Sequence, residues 1–241
     1  MIILTGARSQ LSLEMLGGRI HSLTLNSIRL LGTFTRIDGK IGNSHICTPN
    51  FSTEGVQKYA LPQHGSAREK QWSVEKQSNN VCTISCIVPP DGFYPSTLVL
   101  EQRFALMNNS FEHTLTVTNQ GMINAPVNAG FHYYWDTPKG WNQVTINKKN
   151  ISKHIAKDTN IPAHPKNIIM IPDKPAIKLE TGSTFSILRL WTGRKIENNQ
   201  TVFDTAYACI EPVYKNSRYF DSPQSMLRPK EAIIVTLKIS I

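Results

Sequence analysis

Three short segments carry side chains that can move protons or hold a polar ligand. The first, Leu61-Pro62-Gln63-His64-Gly65-Ser66-Ala67-Arg68, joins a proline, a glycine and small residues in a tight loop from which His64 and Arg68 can both project. On spacing alone it reads as an ordinary surface turn. The second, Gly130-Phe131-His132-Tyr133-Tyr134-Trp135-Asp136, sets one histidine in an aromatic strand. Strand alternation puts Phe131, Tyr133 and Trp135 on one face and His132 with Tyr134 on the other. A satisfied core histidine is the plain alternative to a catalytic one. The third, Ala208-Cys209-Ile210-Glu211-Pro212, carries a carboxylate in an apolar strand, where it is seldom buried unless paired or functional. A salt bridge is its plain alternative. Histidine titrates near neutrality and a carboxylate can accept a proton at the same pH, so the pair can serve as general acid and general base.

The elements that must position these residues are strands. Phe111, His113, Leu115 and Val117 alternate with Glu112, Thr114, Thr116 and Thr118, and Ile233, Val235, Leu237, Ile239 and Ile241 repeat the pattern at the end of the chain. Further strands are expected over 11–16, 20–25, 81–88, 98–106, 185–192 and 206–211. They are separated by turn signals such as Gly17-Gly18, Pro89-Pro90-Asp91-Gly92, Asn108-Asn109 and Gly182-Ser183. No stretch of ten residues has an apolar helical stripe, so any helix is short and the fold class is all-β. With no linker-like shift in composition and no fixed-period repeat, residues 1–241 read as one domain. The region 142–178, rich in Asn, Lys and Pro, does not resolve into strands and loops.

Composition excludes several classes. A chain of 241 residues with 40% hydrophobic and 18% charged residues is globular rather than disordered. The net charge of +9 invites a nucleic-acid partner, but the lysines are scattered through turns without an aromatic stacking platform, so none is expected. The apolar start of MIILTGARSQ is too short for a secretory signal or a membrane span, which points to a cytoplasmic protein with no membrane partner. Cys82 and Cys86 share a strand face roughly 13 Å apart, too far for a disulfide. Cys47 and Cys209 could pair only if the fold joins them, and four free thiols is the commoner arrangement in a reducing compartment. No CxxC or Cys/His cluster suggests a metal, and no cofactor is expected.

Taken together and in order, several segments resemble the aldose 1-epimerase (galactose mutarotase) family. Gly17-Gly18-Arg19-Ile20 resembles its early glycine-rich hairpin and Thr48-Pro49-Asn50-Phe51 its proline-containing strand. LPQHGSAREKQW resembles its histidine–arginine loop, GFHYYW its second histidine strand, Leu190-Trp191-Thr192 a late core strand, and CIEP its glutamate strand.

The resemblance implies a large, twisted, two-layer antiparallel β sandwich with a sugar in a cleft on one sheet. It also implies that Glu211 removes the anomeric proton and His132 protonates the ring oxygen, while His64 and Arg68 bind the substrate. The expected partner is a small sugar, a hexose or hexose phosphate, with anomers interconverted by ring opening and reclosure. A non-catalytic carbohydrate-binding relative is the alternative. Tyr134, Trp135 and Trp141 are candidates to offer a flat face to the sugar, with packing inside the sandwich as the plainer role for any one of them. The sequence departs from the family at Tyr133, where proline is usual. The family's sugar-binding aspartate has three candidates by position, Asp158, Asp173 and Asp204. The hexose-6-phosphate branch is nearest in the histidine–arginine loop, yet its phosphate-binding arginine ahead of the proline-containing strand finds no counterpart, and Lys40 is the cation in that neighbourhood. Oligomeric state is left open.

Overall fold

Alternation of apolar and polar residues builds two antiparallel sheets that share one large apolar core. The computed structural model describes residues 1–51, 53, 56–91, 93–214 and 225–241; Gly92 of the expected Pro89–Gly92 turn lies outside them. In spatial order the first sheet runs Ile2–Thr5, Gln10–Glu14, Arg19–Leu25, Ile28–Leu31, Tyr134–Asp136, Tyr207–Tyr214, Gly130–His132 and His45–Cys47. Phe185–Trp191 also pairs with Tyr207–Tyr214 and carries Thr159–Pro162 on its other edge. The second sheet runs Lys149–Asn150, Thr145–Ile146, Lys166–Met170, Ile177–Glu180, Ala232–Ser240, Ser110–Asn119, Leu98–Leu106, Val81–Val88 and Ser73–Gln77.

The two strands read from period-two patterning are neighbours, with His113 opposite Leu237 and Leu115 opposite Val235. Phe111, His113, Leu115 and Val117 are buried against the first sheet's apolar face, as are Val235, Leu237 and Ile239. Successive Cβ atoms point to opposite faces, so one face of each strand is withdrawn from water while the other keeps its threonines and charges. The unassigned region 142–178 forms four of the short strands and the six-residue helix Ser152–Lys157. That helix ends at Asp158, whose left-handed φ of 56° closes it. Among the described residues no helix is long and apolar enough to cross a membrane.

Tyr207–Tyr214 breaks the alternation, since seven of its eight residues are buried. Ala208 and Ile210 belong to the sandwich core, whereas Tyr207, Cys209 and Val213 belong to two small apolar clusters on the opposite face. That opposite face is the one on which Glu211 stands.

Candidate functional site

Glu211 lies on the central strand of the first sheet, with Gly130–His132 and Tyr134–Asp136 on one side and Phe185–Trp191 on the other. Alternation places His132 and Tyr134 on Glu211's face, and their rings stack with centroids 5.0 Å apart. His132 Nδ1 is 3.7 Å from Glu211 Oε1, within ion-pair reach when both are charged but too long for a hydrogen bond. Arg189 is the cross-strand partner of Glu211 and is held by Asp158, whose Oδ1 accepts from its Nε at 2.8 Å and lies 2.7 Å from its Nη2.

The histidine–arginine loop comes in over this surface. His64 takes a left-handed φ of 66° and Gly65 one of 74°; a Cβ on Gly65 would lie 2.1 Å from the Thr48 carbonyl oxygen, so glycine is required there. The following turn, Ala67–Glu69, is pinned by hydrogen bonds from Trp72 Nε1–H to the Ala67 carbonyl and from Arg19 Nη2 to the Arg68 carbonyl. The His64 ring therefore packs edge-on to His132 at 5.0 Å, and its Nδ1 lies 3.3 Å from Cys47 Sγ. A third histidine, His45, pairs directly across the ladder with His132, their rings 4.8 Å apart.

These groups line a cavity of about 400 Å³ together with Arg19, Arg36, Lys40, Arg68, Tyr134, Trp191 and Asp158. Burial dominates its electrostatics because it penalises every charged form. It raises Glu211 well above the ordinary carboxylate value, against the pull of Arg189, and drives His132 well below the usual histidine range. His45 is lowered to about 3, and His64 to about 4 with Arg68 adding to the burial. His132 Nδ1, His45 Nε2, Arg19 Nε and Arg36 Nε are buried without a protein partner. Unpaired buried polar atoms are costly, and all four belong to side chains that line the cavity.

His64, Arg68, His132 and Glu211, dispersed over the chain, thus meet in one cavity. Of the three aspartates, Asp158 lines it; Asp173 is ion-paired to Lys139, and Asp204 accepts from the Tyr207 hydroxyl and the Ile37 amide. Of the three aromatic candidates only Tyr134 is in the cavity. Trp135 is fully buried in the sandwich, and Trp141 packs edge-on to Phe203, so neither can meet a ligand there. Trp191, in the segment that resembles a late core strand, faces the cavity under the Arg36 guanidinium at 4.9 Å.

Ahead of the proline-containing strand an arginine does line the cavity, Arg36, beside Lys40. His45, Arg36, Arg189 and Trp191 escaped the sequence reading. Arg189 and Trp191 left a signal, a charged and an indole side chain two apart on the non-core face of an apolar strand. Arg36 left none, because it sits in a polar stretch.

Residues 28–165 match the family described as aldose 1-epimerase. No curated protein sequence matches the chain. Among solved structures, a galactose mutarotase related enzyme from Lactobacillus acidophilus aligns with a TM-score of 0.79 at 14% identity, covering 99% of this chain and 96% of that one. A galactose mutarotase-like protein from Lactobacillus casei aligns at 0.76 and 15% identity, covering 100% and 99%. One from Clostridium acetobutylicum aligns at 0.67 and 14%, covering 98% and 93%. At these identities the structural likeness carries the sandwich fold.

Proposed function

The chain belongs to the aldose 1-epimerase family of isomerases, and from that premise we propose that it is one sugar-binding domain, spanning residues 1–241, that interconverts the anomers of a hexose phosphate. The observation that carries the reading is the buried acid–base pair of His132 and Glu211, 3.7 Å apart, at the floor of a cavity with unpartnered donors. Glu211 takes the proton from the anomeric hydroxyl while His132 delivers one to the ring oxygen. The bond between the anomeric carbon and the ring oxygen breaks, giving the open-chain aldehyde, which rotates and recloses with both proton transfers reversed.

Proton count supports this division of labour. Burial raises Glu211 and lowers His132, so both are pushed toward their uncharged forms, in which the proton of the pair rests on Glu211. Moving that proton to His132 gives the reactive arrangement without exchange with solvent. Arg189, oriented by Asp158, stabilises the carboxylate form of Glu211. His64 and Arg68 face the same space and bind the sugar on its ring-oxygen side.

Five cationic side chains against three carboxylates around the cavity favour a phosphorylated sugar over a free one. The four cysteines are free and buried, in keeping with a cytoplasmic, reducing setting. The deciding experiment follows anomer exchange by NMR on a panel of free and phosphorylated aldoses, where acceleration above buffer is expected for at least one. Sugar binding without acceleration would make the protein a non-catalytic carbohydrate binder. Raising ionic strength is expected to weaken the apparent affinity for the phosphate sugar more than for its free counterpart, because charge attraction at the open side of the cavity is screened. Equal salt dependence would argue for a neutral substrate.

A further inference from the structure

Behind the cavity, inside the sandwich, runs a chain of buried polar side chains that the reaction does not use. The Tyr133 hydroxyl is 2.7 Å from His113 Nδ1, His113 Nε2 is 2.9 Å from Gln102 Oε1, and Gln102 Nε2 is 3.1 Å from the Gly18 carbonyl oxygen. Tyr133, His113 and Gln102 are withdrawn from water. The far end sets every proton. A carbonyl only accepts, so Gln102 turns its NH₂ toward Gly18 and its oxygen toward His113. His113 Nε2–H therefore donates to Gln102, and its Nδ1 accepts from the tyrosine hydroxyl. Phe104, Phe111, Phe131 and Tyr133 surround the His113 ring and bring no charge to it.

The near end of the chain attaches where the strand carrying His132 changes neighbours. On one edge Gly130–His132 pairs with His45–Cys47 and Trp135 with Leu31, while on the other edge Tyr207–Tyr214 pairs with both halves, at Gly130 and over Tyr134–Asp136. Residue 133 is the crossover, and the backbone bond there, from Ile210 N–H to the Tyr133 carbonyl, is a long 3.3 Å. Its side chain points away from His132, across the core, into the hydrogen bond with His113. Gly18, at the far end, precedes Arg19, whose guanidinium holds the Arg68 turn. Gly18 also has no room for a side chain, since a Cβ would lie 2.3 Å from Gln102 Nε2. Each end of the chain is thus one residue from a side chain that lines the cavity.

We propose that Tyr133, His113 and Gln102 are positioning residues: their hydrogen-bonded chain across the core holds the crossover and so sets where His132 presents Nδ1 to Glu211 and to a bound sugar. The catalytic consequence rests on the anomer-exchange reading above; the effect on His132 does not. A buried chain whose proton positions are all fixed from one end admits one arrangement, which suits it to hold a neighbour in place. Small misplacement of a proton-transfer group is costly in rate, as much as about 100-fold for 1 Å.

The test compares Tyr133→Phe with Leu115→Ala, a core truncation two residues from His113 and directly across the ladder from Gln102 that removes packing but no hydrogen-bonding group. Imidazole ¹⁵N NMR and anomer-exchange kinetics are recorded on both. Tyr133→Phe is expected to shift the His113 Nδ1 signal and the ring signals of His132, and to lower kcat about tenfold with KM nearly unchanged. Leu115→Ala, although destabilised, should leave His132 signals and kcat near wild type. If Tyr133→Phe does not fold, Gln102→Met, close in shape, breaks the distal link and should shift His132 in the same direction. His132 signals that stay unmoved in the folded link variant, or that move equally in Leu115→Ala, would overturn the proposal. A wild-type protein that exchanges no anomer tested would remove the proposed function, and the His132 signals would still decide this one.

Discussion

Glu211→Gln is expected to slow anomer exchange by at least about 100-fold, because general base catalysis typically contributes about 100-fold to 10,000-fold and the amide cannot take a proton. Substrate affinity should change far less, since glutamine keeps the shape and offers both a donor and an acceptor. Stability separates this from a structural role. Burial favours the neutral form of Glu211, and the neutral amide of glutamine suits the same surroundings, so the folded protein should persist with a thermal midpoint near wild type. Were Glu211 instead the partner of a structural ion pair with Arg189, the substitution would lower the midpoint and leave exchange in the surviving folded protein intact. Asp158 already supplies Arg189 with two contacts below 3 Å, which weighs against that structural role. Thermal midpoint, sugar affinity and exchange rate on one variant decide it. A folded Glu211→Gln protein exchanging at the wild-type rate would take Glu211 out of the mechanism.

Stability is expected to fall steeply as the pH drops from 6.5 towards 4.5. Burial lowers His45 and His113 to about 3, His64 to about 4, and His132 well below its ordinary value. In the unfolded chain each titrates near 6.5, so below that pH the unfolded state binds protons the folded state refuses. The stability attached to each neutral histidine is complete above its unfolded pKa and is lost as pH falls towards the folded value. Glu211 acts in the opposite direction. Its folded pKa is raised, so between 4.5 and that raised value the folded state holds a proton the unfolded state lacks, which offsets one histidine. One group contributes at most about 1.4 kcal/mol per pH unit, and the net of three gives roughly 4 kcal/mol per unit as an upper figure. Against a typical total of about 5–15 kcal/mol, one or two units of acid should unfold the protein. Urea unfolding midpoints at pH 7, 6 and 5 measure this, and a midpoint flat across that range would contradict the burial of these rings.

The strands of the second sheet were legible because burial on one face writes itself into the chain with a period of two. The strands at 81–88 and 98–106 have the bounds expected, and the two closing strands pair with each other. Tyr207–Tyr214 was legible only in part, because a strand covered on both faces loses its alternation and Glu211 alone marks the cavity side. The short strands of 142–178 carry four or five residues at most, too few to establish a period.

Residue types and local spacing determined that His64 and Arg68 share a turn, that His132 and Tyr134 share a face, and that Trp135 lies on the other. Those relations depend on neighbours along one chain segment. What only the tertiary structure decided is which segments meet. His45 reaches His132 through the pairing of two short strands far apart in sequence, Arg189 reaches Glu211 through another, and Asp158 enters by closing a short helix beside Arg189. The perturbed proton affinities follow from the same step, because desolvation belongs to the enclosed cavity and not to any one segment.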